Sequence, residues 1–195
     1  VWEDDWRFRR PVVERMLLHK LGVSRLPSVP ARKTKAMVLT LAQVRAFFEQ
    51  NHIQGHVNAS WYFGLEDAQS GDIVAAMSLK RTADPKTLRL ERYATSVRVP
   101  GGHSKLVKFA EHMIPEWESL LTFADLEVSD GALYERTGWT RDAELAPDYR
   151  YVVKGRRVHK FGYRLARFRS DPNLVFEEGK TERELAALNG LDRVW

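Results

Sequence analysis

The chain has 195 residues, 44% hydrophobic and 29% charged, which fits one globular domain with a real core and short terminal extensions. Its 31 Lys and Arg against 26 Asp and Glu give a formal net charge of +5, too modest by itself to mark a nucleic-acid binder. The absence of cysteine excludes disulfides, Cys-based zinc sites and a thiol nucleophile, and no apolar run reaches bilayer-spanning length.

The opening Val1-Trp2-Glu3-Asp4-Asp5 is acidic and aromatic, unlike a secretory signal, so a cytoplasmic protein is expected. Apolar residues Val12, Val13, Met16, Leu17 and Leu21 at roughly helical spacing predict a helix over 6–21, with Pro11 in its first turn and Gly22 at its end. A Pro-rich connector and the basic stretch Arg32-Lys33-Thr34-Lys35 lead to a short strand over 36–39. Thr40 is placed to cap a helix over 41–51 whose buried face is Val44, Phe47 and Phe48. Strands are expected over 60–65, 72–80 and 88–99, the first two joined by a polar loop ending in Ser-Gly.

Pro100-Gly101-Gly102 breaks the third strand, and a helix is expected over 104–113 with Leu106, Val107, Phe109 and Ala110 inward. A further strand is read over 120–126 and a short helix over 131–136. Strands from Trp139 onward and over 149–153 are expected to close the sheet. Thr181 and Glu184 form a capping-box pattern for a last helix ending at Asn189-Gly190. The expected organisation is an N-terminal helix and connector (1–30), a main domain (31–170) and a C-terminal helical extension (171–195).

Two segments carry chemistry. A glycine pair between a strand and a helix frees backbone N–H groups to converge on one anion, helped by the helix dipole. Arg98, Gly101, Gly102, His103, Ser104 and Lys105 are therefore the candidate anion or cofactor site, with a pyrophosphate as the natural guest. The second segment, between Arg150 and Arg169, holds eight Lys or Arg and no acid, interleaved with Tyr151, Phe161, Tyr163 and Phe168. Cations neutralise phosphates and aromatic rings stack on bases, so Arg150, Lys154, Arg156, Arg157, Lys160 and Arg164 are the candidate nucleic-acid surface. His52 and His56, four apart, are separated by Gly55, which argues against a shared helical turn, and no metal site is expected.

The segment Ser129-Asp130-Gly131-Ala132-Leu133-Tyr134-Glu135-Arg136-Thr137-Gly138-Trp139 resembles the N-x-x-A-x-x-L-Y-E-K-x-G-F element of GNAT acetyltransferases, about 30 residues after the glycine loop. The order of elements over 40–153 is also similar to that superfamily, although the loop departs from R/Q-x-x-G-x-G/A by placing His103 where a small residue is usual. A narrower resemblance rests on Asn51-His52-Ile53-Gln54-Gly55, Phe63-Gly64-Leu65, Leu90-Glu91-Arg92, Gly101-Gly102-His103-Ser104-Lys105-Leu106, Ala124-Asp125 and Pro147-Asp148-Tyr149-Arg150-Tyr151. These motifs look like the phage-encoded GNAT-like C-terminal domain of Hef-like homing endonucleases and, distantly, the Mom DNA-modification proteins.

The resemblance implies an α/β (α+β) fold: a central mixed, mostly antiparallel sheet with helices on both faces, splayed between the strands 88–99 and 120–126. It implies an acyl-CoA or related donor, Tyr134 as general acid, and His52 in the acceptor pocket. By position, Asp125 at the end of the strand before the short helix could accept an amine proton or orient a base edge, Ser129 could contact substrate but fits better as a helix cap, and Glu91 and Arg92 on the long central strand could pair with Asp125 or with substrate in that pocket. It implies a transferase acting on nucleic acid, DNA foremost, in a phage-infected bacterial host, or a non-catalytic DNA-binding domain fused to an N-terminal nuclease module. A start without Met fits that fusion.

Overall fold

The structure is a computed structural model describing all 195 residues. Contacts divide the chain into two units, Val1–Arg141 and Asp142–Trp195. The division falls in a polar stretch with Pro147, not at residue 170.

In the first unit, helix α1 (Glu3–Lys20) places Glu3, Asp4 and Asp5 in its first turn, where carboxylates complement the positive end of the helix. It bends at Arg9 (φ −133°, ψ 26°), two residues before Pro11, whose ring and missing N–H interrupt the hydrogen-bond ladder. Strand β1 (Thr34–Val38) precedes α2 (Leu41–Asn51), which starts on a full capping box between Thr40 and Gln43. Strands β2 (Trp61–Asp67), β3 (Ile73–Arg81) and β4 (Thr87–Thr95) pair antiparallel in chain order, with β1 on the outer edge of β2. The chain crosses over through α3 (Gly102–Met113) and returns as β5 (Ser119–Thr122), parallel to β4.

The alternation of side chains assigns the two faces. Phe63, Leu65, Ala75, Met77, Leu79, Leu88 and Leu90 bury one face against α3, whose Leu106, Ala110 and Ile114 repeat every four residues. Ala76 and Ala94 bury the other against α2 through Val44, Phe47 and Phe48. Each fully buried Leu or Phe of this kind contributes about 1.5–3 kcal/mol. The mixed, mostly antiparallel sheet with helices on both faces is thus the fold class expected from the sequence, and the strands at 88 and 120 are neighbours.

Strand β4 ends at Thr95 instead of 99. Beyond it, the N–H of Ser96 donates to Val74 O, while Arg98 exchanges backbone bonds with a different segment, donating to Pro27 O and accepting from Val29 N. Strand β5 stops at Thr122 instead of 126, because the backbone folds into a turn in which Asp125 O accepts from Val128 N and Ser129 N. The short helix α4 (Ala132–Arg136) then follows.

The second unit has its own three-stranded sheet, in the order β7 (Arg156–His159), β6 (Arg150–Val153), β8 (Asp192–Val194). The expectation that residues from 139 and the strand at 149–153 would close the main sheet is therefore corrected. Residues 139–149 lack apolar alternation, and β6 instead buries Tyr151 with Tyr163, Phe168, Leu185 and Ala186. The helices are α5 (Leu165–Ser170) and α6 (Glu182–Leu188), the latter opened by the expected Thr181–Glu184 capping box. Because α6 packs into the same core as β6, residues 171–195 are part of this unit and not a separate extension.

Candidate functional site

Strand β4 carries the defect that organises the first unit. Ser78 faces Arg92 while the next residue, Leu79, faces Leu90, so Glu91 is an extra residue bulged out of the β3–β4 ladder. The bulge inverts the alternation: Leu88 and Leu90 point to the α3 face, and after it Tyr93 does so too. Pairing with β5 ends at the same place, with Leu90 opposite Thr122, although β4 runs on to Thr95. The two parallel strands therefore part at Glu91. Bulges that end pairing and re-aim side chains recur next to active sites.

On the α3 face of this opening lies an aromatic cluster. His103 is 2% exposed, and its ring centroid is 5.2 Å from Tyr93, 5.7 Å from Tyr134 and 5.7 Å from Trp139. Tyr134 and Trp139 are 5.3 Å apart. Neither ring nitrogen of His103 has a hydrogen-bond partner. Burial pushes its pKa down to about 4, so the imidazole is neutral at physiological pH. Burial, and secondarily the neighbouring Tyr134, push the Tyr93 phenol up.

His103 was expected in a phosphate-facing loop; its side chain instead turns inward, because it occupies the second position of α3, on the side packed against the sheet. Lys105 is corrected in the same way. Its ammonium donates to Ala31 O at 2.9 Å and also to Thr34 O, holding the segment before β1 and not an anion. Arg98, Gly101 and Ser104 are exposed. Gly101 caps α3 at φ +77°, a conformation that favours glycine. A Cβ on Gly102 would lie 2.8 Å from Val99 Cγ1 and 3.2 Å from the Tyr93 hydroxyl. Of the first-turn donors, Gly102 N–H bonds Val99 O and Lys105 N–H bonds Gly101 O, while α3 has no side-chain cap. The N–H groups of His103 and Ser104 point from an open helix N-terminus, the chemistry a diphosphate accepts.

On the α2 face His52 and Arg92 lie near each other, while Glu91 pairs with Arg89. Arg92 Nε donates to Gly55 O at 3.2 Å. His52, at the C-cap of α2, has its pKa pushed down to about 3 by burial, then by the charges of Arg92 and Arg9. Asp125 Oδ2 accepts from Gln54 Nε2 at 3.0 Å, and its Oδ1 accepts from Glu127 N at 3.1 Å. Tyr134 packs with His103 in the aromatic cluster, whereas Asp125 is held by Gln54, just beyond α2, so the two are anchored in different surroundings. Ser129 Oγ accepts from Gly131 N at 3.2 Å, the role of a turn-forming serine before α4. Tyr93, Trp139 and Gln54 were missed because the bulge that aims Tyr93, and the turns that bring the others in, leave no periodic signal.

In the second unit, Val152 and Val153 lead to a two-residue hairpin turn at Lys154-Gly155, both with positive φ (50° and 72°), which fits a tight turn between twisted strands. Lys154 stands at the tip, Arg150 on β6, and Arg156 and Arg157 on β7. The run lacks internal acids, yet Lys160, Arg164 and Arg167 meet acids from outside it. Lys160 pairs with Asp148 at 2.5 Å, Arg164 with Glu182 at 3.2 Å and Arg167 with Asp171 at 3.5 Å. These pairs are partly exposed and weak, so they lower but do not abolish the positive field.

No protein-family model matches the chain, and no curated protein matches it. Among solved structures it is similar to an aminoglycoside acetyltransferase, meta-AAC0020, from an uncultured soil metagenomic sample, in complex with sisomicin. That match has 17% identity, 60% of this chain and 95% of the other covered, and a TM-score of 0.42. It is also similar to glucosamine-6-phosphate N-acetyltransferase from Arabidopsis thaliana, at 12% identity with 59% and 97% covered and a TM-score of 0.39. A Trypanosoma brucei acetyltransferase gives 12%, 59% and 99%, and 0.38. Likeness at this level assigns no residue role.

Proposed function

We propose that the chain is a GNAT-like transferase that moves an acyl group from acyl-CoA or a related donor to an amine or base of nucleic acid. The observation that carries this reading is the parting of β4 from β5 at the Glu91 bulge, with an open helix N-terminus beside it. The donor would be held by the N–H groups of His103 and Ser104 next to Gly101, with Arg98 adding charge; its thioester supplies the activated acyl carbon. The nucleophilic amine would approach from the α2 face, among His52, Glu91 and Arg92. Asp125 would take the amine proton as the nitrogen–carbon bond forms. Tyr134, on the α3 face, would give its phenolic proton to the sulfur as the carbon–sulfur bond breaks. A phenolic hydroxyl carries the proton that the departing sulfur needs. The cations of the second unit would hold the nucleic acid by its phosphates.

We take the protein to act on DNA in the cytoplasm of an infected bacterium, a reading supported by the motif resemblance to phage domains. A second reading, a DNA-binding GNAT-like domain of a homing endonuclease without transfer activity, is favoured by Lys105 being committed to Ala31 and Thr34 carbonyls. One experiment separates the two. The chain is incubated with DNA and radiolabelled acetyl-CoA, in parallel with Tyr134→Phe. Label in the DNA that falls with Tyr134→Phe supports the transferase; DNA binding without label in either protein supports the binding module.

A further inference from the structure

The second unit sorts its aromatic residues into two groups. Tyr151 and Phe168 are 1% exposed and Tyr163 is 8% exposed, so this unit can bury rings. Phe161 and Trp195 are each 63% exposed. The exposed rings are joined by a continuous strip of contacts. The Trp195 ring lies 5.6 Å from Tyr149, the Lys160 ammonium lies 5.2 Å from the Tyr149 centroid and 5.9 Å from that of Phe161, and Arg164 lies 4.5 Å from Phe161. His159 stacks on Phe161 at 4.7 Å with a 35° tilt, and Arg193 covers Tyr149 at 3.9 Å.

We infer that this strip is a stacking platform for unpaired nucleobases, so that the second unit recognises single-stranded nucleic acid in preference to duplex. The inference rests on the reading of the basic run as a nucleic-acid surface and specifies which form that surface takes. Cations alone would suit a duplex equally, since phosphates are what they read. Large rings left in water and bracketed by cations need a flat apolar partner that brings its own negative charge. A single strand offers both, whereas a duplex hides its base faces in its own stack. Lys160 and Arg164 are tied to Asp148 and Glu182, but in exposed pairs that phosphates can displace at little cost. Phe161 and Trp195 present the rings, while Tyr149, already covered by Arg193, holds the strip together.

The test is fluorescence anisotropy on the full chain, with a labelled single strand of roughly 15 nucleotides and the duplex of the same sequence, across a salt series. The single strand is expected to bind more tightly. Phe161→Ala and Trp195→Ala should each weaken single-strand binding roughly 5- to 100-fold and leave duplex binding nearly unchanged. Phe161→Trp should retain it. Because Phe161 is mostly exposed, the melting temperature of Phe161→Ala should equal that of the parent, which separates lost stacking from lost folding. Arg156→Glu combined with Arg157→Glu should weaken both forms. If Phe161→Ala and Trp195→Ala weaken both forms equally, or neither, while the charge variant still weakens binding, the platform is wrong and the basic surface stands. If neither form binds the parent protein, both readings fall.

Discussion

Replacing His103 with Phe should make the protein more stable at pH 7 and less sensitive to acid. The imidazole is 2% exposed, sits among Tyr93, Tyr134 and Trp139, and leaves both ring nitrogens without a partner. A buried polar group without a hydrogen bond costs about 1–3 kcal/mol, and an aromatic ring of similar shape removes that cost while keeping the ring contacts. At roughly 2–4 °C per kcal/mol for a chain of this size, the melting temperature should rise by a few degrees. The pH dependence follows from the folded pKa lying below the unfolded one. Between about 6.5 and about 4 the unfolded chain binds a proton at this position and the folded chain does not. Stability is therefore complete above 6.5 and declines as the pH falls to 4, by ~3 kcal/mol for this one group. His52 adds a decline of the same sign that continues to about pH 3, which the variant should keep. Denaturant melts from pH 7.5 to 4 measure both effects. A variant that is less stable at pH 7 and shows the parent's full acid slope would refute the reasoning, since it would mean the ring nitrogens are satisfied in solution.

The two glycines of the loop should respond differently to alanine in thermal melts. Gly102→Ala drives a Cβ to 2.8 Å from Val99 and should cost about 1–3 kcal/mol despite alanine's helix propensity, whereas Gly101→Ala meets only Ala31 at 3.5 Å and pays for positive φ alone, about 1 kcal/mol. Replacing Arg156, Arg157 and Lys160 together by Glu should weaken binding to all DNA sequences alike, and the parent's log–log salt dependence should have a slope of about −0.9 per phosphate contact on duplex; unchanged affinity in the triple variant would count against this surface. Tyr134→Phe should lower turnover roughly 100- to 10,000-fold with the melting temperature held, and Asp125→Asn should do the same with a raised KM, because it also loses its place against Gln54. If turnover instead falls only as far as folded protein is lost, both residues are structural.

The sequence made the first unit legible where the physics is local. Thr40 and Thr181 announce their helices because capping is read from residues three apart, and both capping boxes are present. Val44, Phe47 and Phe48 reveal the buried face of α2 through their spacing. The strand-to-helix glycine turn and the strand beside β4 followed from Gly101-Gly102 and the order of elements. What depended on tertiary pairing was hidden. The Glu91 bulge is visible only once β3 and β4 are in register, and with it the face of Tyr93. His103 reads as a loop residue and Lys105 as a first-turn residue, both facing an anion, but α3 begins at Gly102, so one turns into the core and the other reaches back to β1. The second unit was misread for a related reason. Short strands such as Asp192–Val194 carry too few residues for alternation to show, and the acids that pair with Lys160, Arg164 and Arg167 lie outside the basic run that drew attention to it.

The central claim, that the opening at Glu91 is a transferase centre acting on nucleic acid, is tested most directly by mass spectrometry of nucleosides from DNA of bacteria expressing the chain, compared with cells expressing Tyr134→Phe. The account predicts a new nucleoside heavier than its parent by one acyl group, present with the unaltered chain and strongly reduced with Tyr134→Phe. A nucleoside profile identical to that of cells without the protein, from cells in which the folded chain is abundant, would contradict it.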